Sequence, residues 1–537
     1  MTKTIYQNGL VLTMEERQPA AEAVLTENGR ILAVGGQAEL AALAPDAGIE
    51  DLAGGTLLPG FVDAHSHISA VAQQLLLVNL NPPPTGPCQT ADDVVKQFKK
   101  ELKERKLEAG QWLLGLGYDN TVFPDGAHPT KEQLDQVSRD IPIAAVHASG
   151  HLCAVNSRGL ELLGYSGKDF PVPAGGVVEP GGLLKENAYL APEKQRIMRG
   201  PGPAEVLASL GRASALYASY GITTAHDGRT TENDYQLLQA GGRQGMLLND
   251  VVMYLDDRAA GAHLPKQNPK LNAYTDRCRA AGYKLYLDGS PQGKTAWLSK
   301  PYFQPPKGQP ADYRGFPTQK EEDVLAVMRR CVENHWQINV HANGDAAIEQ
   351  LIRCYTRALA ETGSREALRP VVIHCQTVRE DQLERMKSIG MLPSFFLDHV
   401  YYWGDYHYRS ALGPERASRI SPAASALALG MSFTLHQDSP VVPPNILFSV
   451  QNACLRRTMS GRILGAEQRI SVREALRAVT YGAAYQIFEE EHKGSLAPGK
   501  LADFVLLSEN PLTLSPEKLS EIRVLKTIKE DREIYRA

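Results

Sequence analysis

Six potential metal ligands sit at or just past the ends of separate apolar runs, and this pattern constrains the fold more than any other feature. His65 and His67 close PGFVDAHSH, Lys284 lies in YKLYLDGS, His341 in INVHANGD, His374 in VVIHCQ and Asp438 in FTLHQDS. In a strand, residues i and i+2 face the same side, so His65 and His67 are expected to grip one ion from one strand face. Ligands delivered from the ends of successive strands imply a barrel with its chemistry at one rim.

The rest of the chain fits that reading. From about Pro203 apolar runs alternate with helical texture: GITTAHDG, LLNDVVMYL, YKLYLDG, INVHANG, VVIHCQ, LPSFFLDH and SFTLHQDS. With FVDAHSH as the first, these make eight strands, and crossover helices between them predict an α/β fold, a (β/α)8 TIM barrel over residues 61–79 and 203–480. A doubly wound sheet would not bring ligands from the first, fourth, fifth, sixth and eighth strands to one place. The first 60 residues and residues 481–537 read as short strands and turns, with hairpin signals at Asn8-Gly9 and Asn28-Gly29. They predict one small sheet domain built from both chain ends. Residues 80–202 are too long for a simple connection. They carry the helical run TADDVVKQFKKELKERKLEAG, the strand candidate IPIAAVHAS and the Gly/Pro-rich PVPAGGVVEPGGLL. An inserted subdomain that shapes a substrate pocket is expected there. The long, Pro-rich loop SPQGKTAWLSKPYFQPPKG is expected to form another wall.

Bulk properties narrow the class. The formal net charge of −4 over 537 residues gives no electrostatic case for nucleic acid or an anionic membrane. No apolar run approaches the length of a membrane span. The opening MTKTIYQNGLVLTMEE lacks the long apolar stretch and cleavage site of a secretory signal. The seven cysteines are scattered without a Cys-x-x-Cys pair, as in reduced thiols. A cytoplasmic location is the expectation. Cys375, beside His374, is expected to face away from it on the strand.

Histidine and carboxylate ligands with few thiols suit zinc, and also iron or manganese. Four histidines, a lysine and an aspartate are enough for two divalent ions. An ammonium repels cations, so Lys284 makes sense as a ligand only as a CO2-derived carbamate, formed on an amine that burial keeps neutral. In the expected division His65, His67, carbamylated Lys284 and Asp438 hold one ion; Lys284, His341 and His374 hold the other. A metal-activated hydroxide attacks, and Asp438 shuttles its proton to the leaving group. Two alternatives stay open: an unmodified Lys284 paired with Asp288, and Glu186 as the bridging carboxylate. His151, Glu186, His226, Trp297 and His436 are candidate substrate contacts, each with a structural role as the alternative. Asp345 is a candidate helix cap. Tyr118, Phe123, Phe396 and Trp403 join Trp297 as aromatics for a partly apolar pocket or for core packing. His335, His399, His407 and His492 carry no usable signal.

These motifs, together with SGHLCAVNS, GGLLKENA, TAWLSKPY, QRISVREALRAVTYGAAY and GSLAPGKLADFVLL, resemble the metal-dependent amidohydrolase superfamily, and within it the amidohydrolase family 3 (YtcJ-like) branch. The resemblance spans nearly the whole chain. It implies a (β/α)8 barrel with a small β-sandwich from both termini, hydrolysis of a carbon–nitrogen bond, and a binuclear site when strand four offers a carbamylated lysine, here Lys284. Members similar to this chain include N-substituted formamide deformylases; a homodimer is a further implication. VHASG before His151 and the loop DGSPQGKTA depart from the pattern, in segments expected to contact substrate. The expected function is therefore cleavage of a non-peptide amide or formamide bond in a small molecule. The alternatives are hydrolysis of a cyclic amide or carbamate, deamination of a heterocycle, or a non-catalytic regulatory role on the same fold.

Overall fold

The apolar runs that end at potential ligands lie side by side in one curled parallel sheet. In the computed structural model its strands are β1 (Phe61–Val62), β2 (Ile222–Thr230), β3 (Asp250–Leu255), β4 (Cys278–Tyr286), β5 (Gln337–Ala342), β6 (Val371–His374), β7 (Leu392–Phe395) and β8 (Thr434–Leu435). The structure describes residues 3–537 apart from 84, 106, 108–109, 121–122, 149–150, 168, 199, 265–272, 307 and 366–367. Each strand pairs with its neighbours in chain order. Just beyond β1 and β8, the Asp438 N–H donates to the His65 carbonyl (3.1 Å) and the His67 N–H to the Ser439 carbonyl (2.8 Å). These bonds join the first and last strands at the rim that carries the candidate ligands, and the architecture is TIM-barrel-like.

All six residues of β3 are buried, as expected for parallel strands covered on both faces. The helix Asp345–Thr362, between β5 and β6, shows how the covering layer forms. Ile348, Leu351, Ile352, Tyr355 and Ala358 are buried at helical spacing, and Gly363 ends the helix with φ 66°. Leu351→Ala would cost about 2–5 kcal/mol.

Two further sheets come from the chain ends. One holds Lys3–Gln7, Ala23–Glu27, Arg30–Gly35 and Gly48–Asp51. The other pairs Thr56–Pro59 antiparallel with Phe504–Leu507, so both ends of the chain share it. Tyr6, Val24, Leu57, Leu496, Phe504 and Ile528 pack in one core. Asn28 (φ 52°) and Gly29 (φ 79°) form the expected hairpin turn. Asn8-Gly9 does not. Lys3–Gln7 and Leu10–Leu12 belong to different sheets, and the turn carries the chain from one to the other. A Cβ on Gly9 would lie 2.5 Å from the Gly55 carbonyl, so the close approach there accounts for the glycine.

Residues 70–212 form a separate compact unit. Its six-stranded sheet includes the predicted strand Ile143–His147, and the predicted helix is Ala91–Glu104, capped by Thr90. Val94 and Phe98 of that helix pack on Leu113 and Ile143. Part of the helical run's tail and residues 149–150 beside His151 lie outside the described residues. No helix among the described residues is long and apolar enough to cross a membrane.

Candidate metal centre

The two histidines of the His-x-His run reach the rim through a turn and not through strand alternation. β1 ends at Val62, and the buried Asp63 shapes the turn beyond it by accepting from the His65 N–H and the Ser66 hydroxyl. Tyr217 in turn donates to the Ser66 hydroxyl at 2.8 Å. Burial pushes Asp63 up to about 6 despite those bonds. The result is a pair of imidazoles at a steep angle, ring centres 5.1 Å apart.

Asp438 meets them from the other side. Its Oδ1 lies 3.1 Å from His67 Nε2 and 3.5 Å from His65 Nε2, and its Oδ2 lies 3.9 Å from His374 Nε2. Lys284 Nζ is 3.1 Å from His65 Nε2, and His341 Nδ1 is 3.0 Å from His374 Nε2. All six residues that the sequence singled out as ligands thus converge. One ligand atom from each of His65, His67 and Asp438 lies within 4.8 Å of the others, a spacing that could hold one ion.

The donor chemistry fits a divalent cation. Ligand atoms about 2.1 Å from a tetrahedral ion stand about 3.4 Å apart, close to the 3.0–3.9 Å separations here. The buried Asp438 Oδ1 receives no well-formed hydrogen bond, although two imidazole nitrogens face it. Burial pushes His65 and His374 well below the usual imidazole range and His341 down to about 4, so all three present lone pairs. Burial alone would raise Asp438, but the His67 imidazole beside it holds it below the usual carboxylate range. Burial also lowers Lys284 to about 7 against the pull of Asp438, leaving much of its amine neutral near neutral pH.

Second partners orient these rings. His341 Nε2 faces the Gly289 carbonyl at 3.0 Å and Asn343 Nδ2 at 3.1 Å; if it donates to the carbonyl, Nδ1 is left as the acceptor aimed at the centre. His374 Nδ1 meets His436 Nε2 at 3.1 Å, and His436 Nδ1 meets Ser394 Oγ at 2.8 Å. If His374 donates from Nδ1, this relay leaves its Nε2 free. His374 (φ 70°) and Asp438 (φ 55°) both hold left-handed backbone conformations, which cost about 1–2 kcal/mol each. Strain gathered on two candidate ligands is typical of a functional site.

The other candidates separate. His436 packs against the centre, its ring 5.4 Å from His65. His226 is fully buried with its ring tilted on Tyr254, and burial and then Arg279 drive it down to about 3. Asp288 is not the partner of Lys284: its carboxylate accepts from the backbone N–H groups of Trp297 (2.9 Å), Asn343 (3.0 Å) and Gly344 (2.7 Å). Trp297 is half-buried, and its backbone packs so closely on Gly344 that a Cβ there would lie 1.9 Å from the Trp297 carbonyl. Asp345 does not cap its helix; Gly344 holds that position, and Asp345 binds Ser299 and Arg379. Cys375 lies one residue past β6, and burial pushes its thiol well up. His151 and Glu186 belong to the 70–212 unit, where they pair with each other at 3.1 Å with side chains 64% and 53% exposed. Tyr118 and Phe123 pack in that unit's core.

The ring of Phe396 lies 5.3 Å from that of His436 and 4.6 Å from that of His399, and Trp403 packs tilted against His399 at 4.7 Å. The His399 contact escaped sequence reasoning because that residue lies beyond β7 with no periodic signal. Gly228 also escaped it. Its N–H donates to the Ser66 carbonyl (2.7 Å), and a Cβ there would lie 2.2 Å from His65 Cε1. The glycine in TTAHDG was the signal.

The sequence that builds this rim matches a known family over most of its length. The chain belongs to the Amidohydrolase family, which matches residues 48–535, and is a hydrolase acting on carbon–nitrogen bonds. It is 26% identical to the putative amidohydrolase YtcJ of Bacillus subtilis (strain 168), with 99% of each chain covered. It is 27% identical to the N-substituted formamide deformylase of Arthrobacter pascens, covering 97% of this chain and 96% of that one. An uncharacterized metal-dependent hydrolase from Pyrococcus horikoshii shares the fold, with a TM-score of 0.75 at 22% identity over 96% of this chain and 99% of that one.

Proposed function

We propose that the chain hydrolyses a non-peptide amide or formamide bond of a small molecule with divalent metal at the rim centre. The observation that carries this reading is the convergence of His65, His67, Lys284, His341, His374 and Asp438 within hydrogen-bond or ion-pair distance of one another. His65, His67 and Asp438 would hold one ion and His341 and His374 a second, with zinc favoured by the donor set and iron or manganese also compatible. Lys284 would take up CO2 as a carbamate, losing a proton and becoming an anionic ligand between the two. Bound metal supplies Lewis-acid polarisation of the scissile carbonyl and lowers the pKa of water.

The chain's own residues manage the proton. Asp438, ionised and beside His67, accepts a proton as water oxygen bonds to the carbonyl carbon. It returns that proton to the nitrogen as the C–N bond breaks, leaving acid and amine. The Ser394–His436–His374 relay holds the His374 ring in one orientation through the cycle.

The test is amine release by zinc-loaded protein from N-substituted formamides, N-acetyl amines, N-acyl amino acids and cyclic amides, with Asp438→Asn as control. Turnover of an amide or formamide class, lost in the variant, is the expected result. Metal-loaded protein that turns over none of them, or an Asp438→Asn variant of undiminished activity, contradicts the proposal.

A further inference from the structure

Where β2 crosses the metal centre, its backbone is fixed to the ligand turn at Gly228, by the N–H donated to Ser66 and the close approach to His65. The next residue, Arg229, is therefore placed within one residue of a contact to a proposed ligand. Its neighbours Gly228 and Thr230 are buried, while Arg229 is exposed. Its guanidinium carbon lies 5.6 Å from the centre of the Tyr286 ring. The same ring is 5.1 Å from Lys284 Nζ and 5.3 Å from the His341 ring. One aromatic ring thus separates an arginine from two of the proposed ligands.

Among the described residues Arg229 has no ion pair or hydrogen bond. The acids nearby are committed elsewhere. Asp227 accepts from Ser69 and Thr230, Asp256 from the Ala259 N–H, and Asp438 faces the two histidines. Other arginines of this barrel are engaged. Arg379 binds Asp345, Glu349 and Asp381, Arg419 binds Glu380, and Arg456 donates to three backbone carbonyls. A guanidinium stacked on a ring keeps its fork of donors free, and that fork matches a carboxylate in two parallel bonds.

Building on the hydrolase reading, we propose that Arg229 is the residue that receives a substrate carboxylate, so that the preferred substrates are amides bearing an acid group, such as N-formyl or N-acyl amino acids. Charge-assisted recognition of this kind discriminates on the order of 10- to 100-fold against the neutral isostere. Because Arg229 is exposed, the preference weakens as salt rises.

The experiment compares N-formyl and N-acetyl amino acids with their C-terminal primary amides, in wild type, Arg229→Gln and Arg229→Lys. Two ratios are read: acid over amide in kcat/KM, and acid over amide in calorimetric affinity in the Asp438→Asn background, which needs no turnover. The expected ratios favour the acid about 10- to 100-fold in wild type, fall to near one in Arg229→Gln, and recover in part in Arg229→Lys. Equal handling of acid and amide by wild type, an undiminished preference in Arg229→Gln, or no binding of any acid overturns the Arg229 assignment, even if the amides are hydrolysed. Acid preference that depends on Arg229 without hydrolysis of any substrate sustains the assignment and removes the hydrolase reading instead.

Discussion

Lys284 and Lys493 are buried to nearly the same degree, 4% and 3% exposed, and their surroundings drive them in opposite directions. Around Lys493, cations and carboxylates alternate. It contacts Asp250 at 2.6 Å and Glu489 at 2.7 Å, Lys529 bridges Asp250 and Asp503 at 2.8 Å each, and Arg279 meets Glu489 at 3.0 Å. Burial disfavours the Lys493 charge, but Asp250 and Glu489 overcome it and raise the amine above its ordinary range. Around Lys284 the neighbours are imidazoles with one shared carboxylate, and burial wins. Asp250 opens β3 while Lys284 nears the end of β4, so the two clusters belong to opposite ends of the parallel sheet. The first satisfies its charges internally and serves the structure. The second leaves lone pairs converging on a centre, which a cation would satisfy.

The largest expected effect tests the unsatisfied cluster. Asp438→Asn should lower kcat by about 10²- to 10⁴-fold, the span of general acid–base contributions, as read by steady-state amine release. A variant with undiminished kcat would break the comparison at its functional end.

The paired cluster predicts a stability effect. Lys493→Met leaves Asp250 and Glu489 short of a buried partner and should cost about 3–5 kcal/mol, seen as a large drop in melting temperature. Lys284→Met in chelated protein should cost far less and even stabilise, because it removes a buried amine whose desolvation is unfavourable.

Their pH dependences should also differ in sign. Lys284 has a folded value of about 7 against an ordinary value of 10.5. The folded state therefore binds fewer protons, and the penalty from this lysine grows as pH falls from about 10.5 to 7, then levels off. The melting-temperature gain of chelated Lys284→Met over wild type should grow through that window on lowering pH. The folded value of Lys493 is raised, so its contribution is complete below 10.5 and lost as pH rises through the folded value. The Lys493→Met deficit should accordingly shrink only at strongly alkaline pH.

A smaller effect sharpens the picture of the relay. Ser394→Ala removes the partner of His436 and frees its tautomer, and should weaken metal affinity or activity by about 10- to 100-fold, measured by competition with a chromophoric chelator.

Much of this centre was legible because strand ends and ligand chemistry coincide in the chain. Lys284, His341 and His374 each fall in or at the end of an apolar strand, and the barrel topology is implied by that order. His65 and His67 were found as residues but with the wrong geometry. The period-2 rule needs a strand, and β1 stops at Val62, leaving Asp63 to shape the turn. Asn8-Gly9 misled for a related reason: positive φ marks a turn, but not which sheets it joins. The Asp288 pairing failed because three backbone amides, at Trp297 and at the consecutive Asn343 and Gly344, hold that carboxylate, and such partners leave no mark in sequence. Arg229 was invisible for the converse reason, since its importance lies in the acids it does not meet.

The most direct test is the metal content of the purified chain, by elemental analysis, for wild type, Lys284→Ala and His374→Ala side by side. The account predicts two divalent ions per wild-type chain, a sharp fall in both variants, and partial recovery of Lys284→Ala in high bicarbonate or a short carboxylic acid. Wild-type protein that takes up no divalent metal, or variants that keep the full complement, would contradict it.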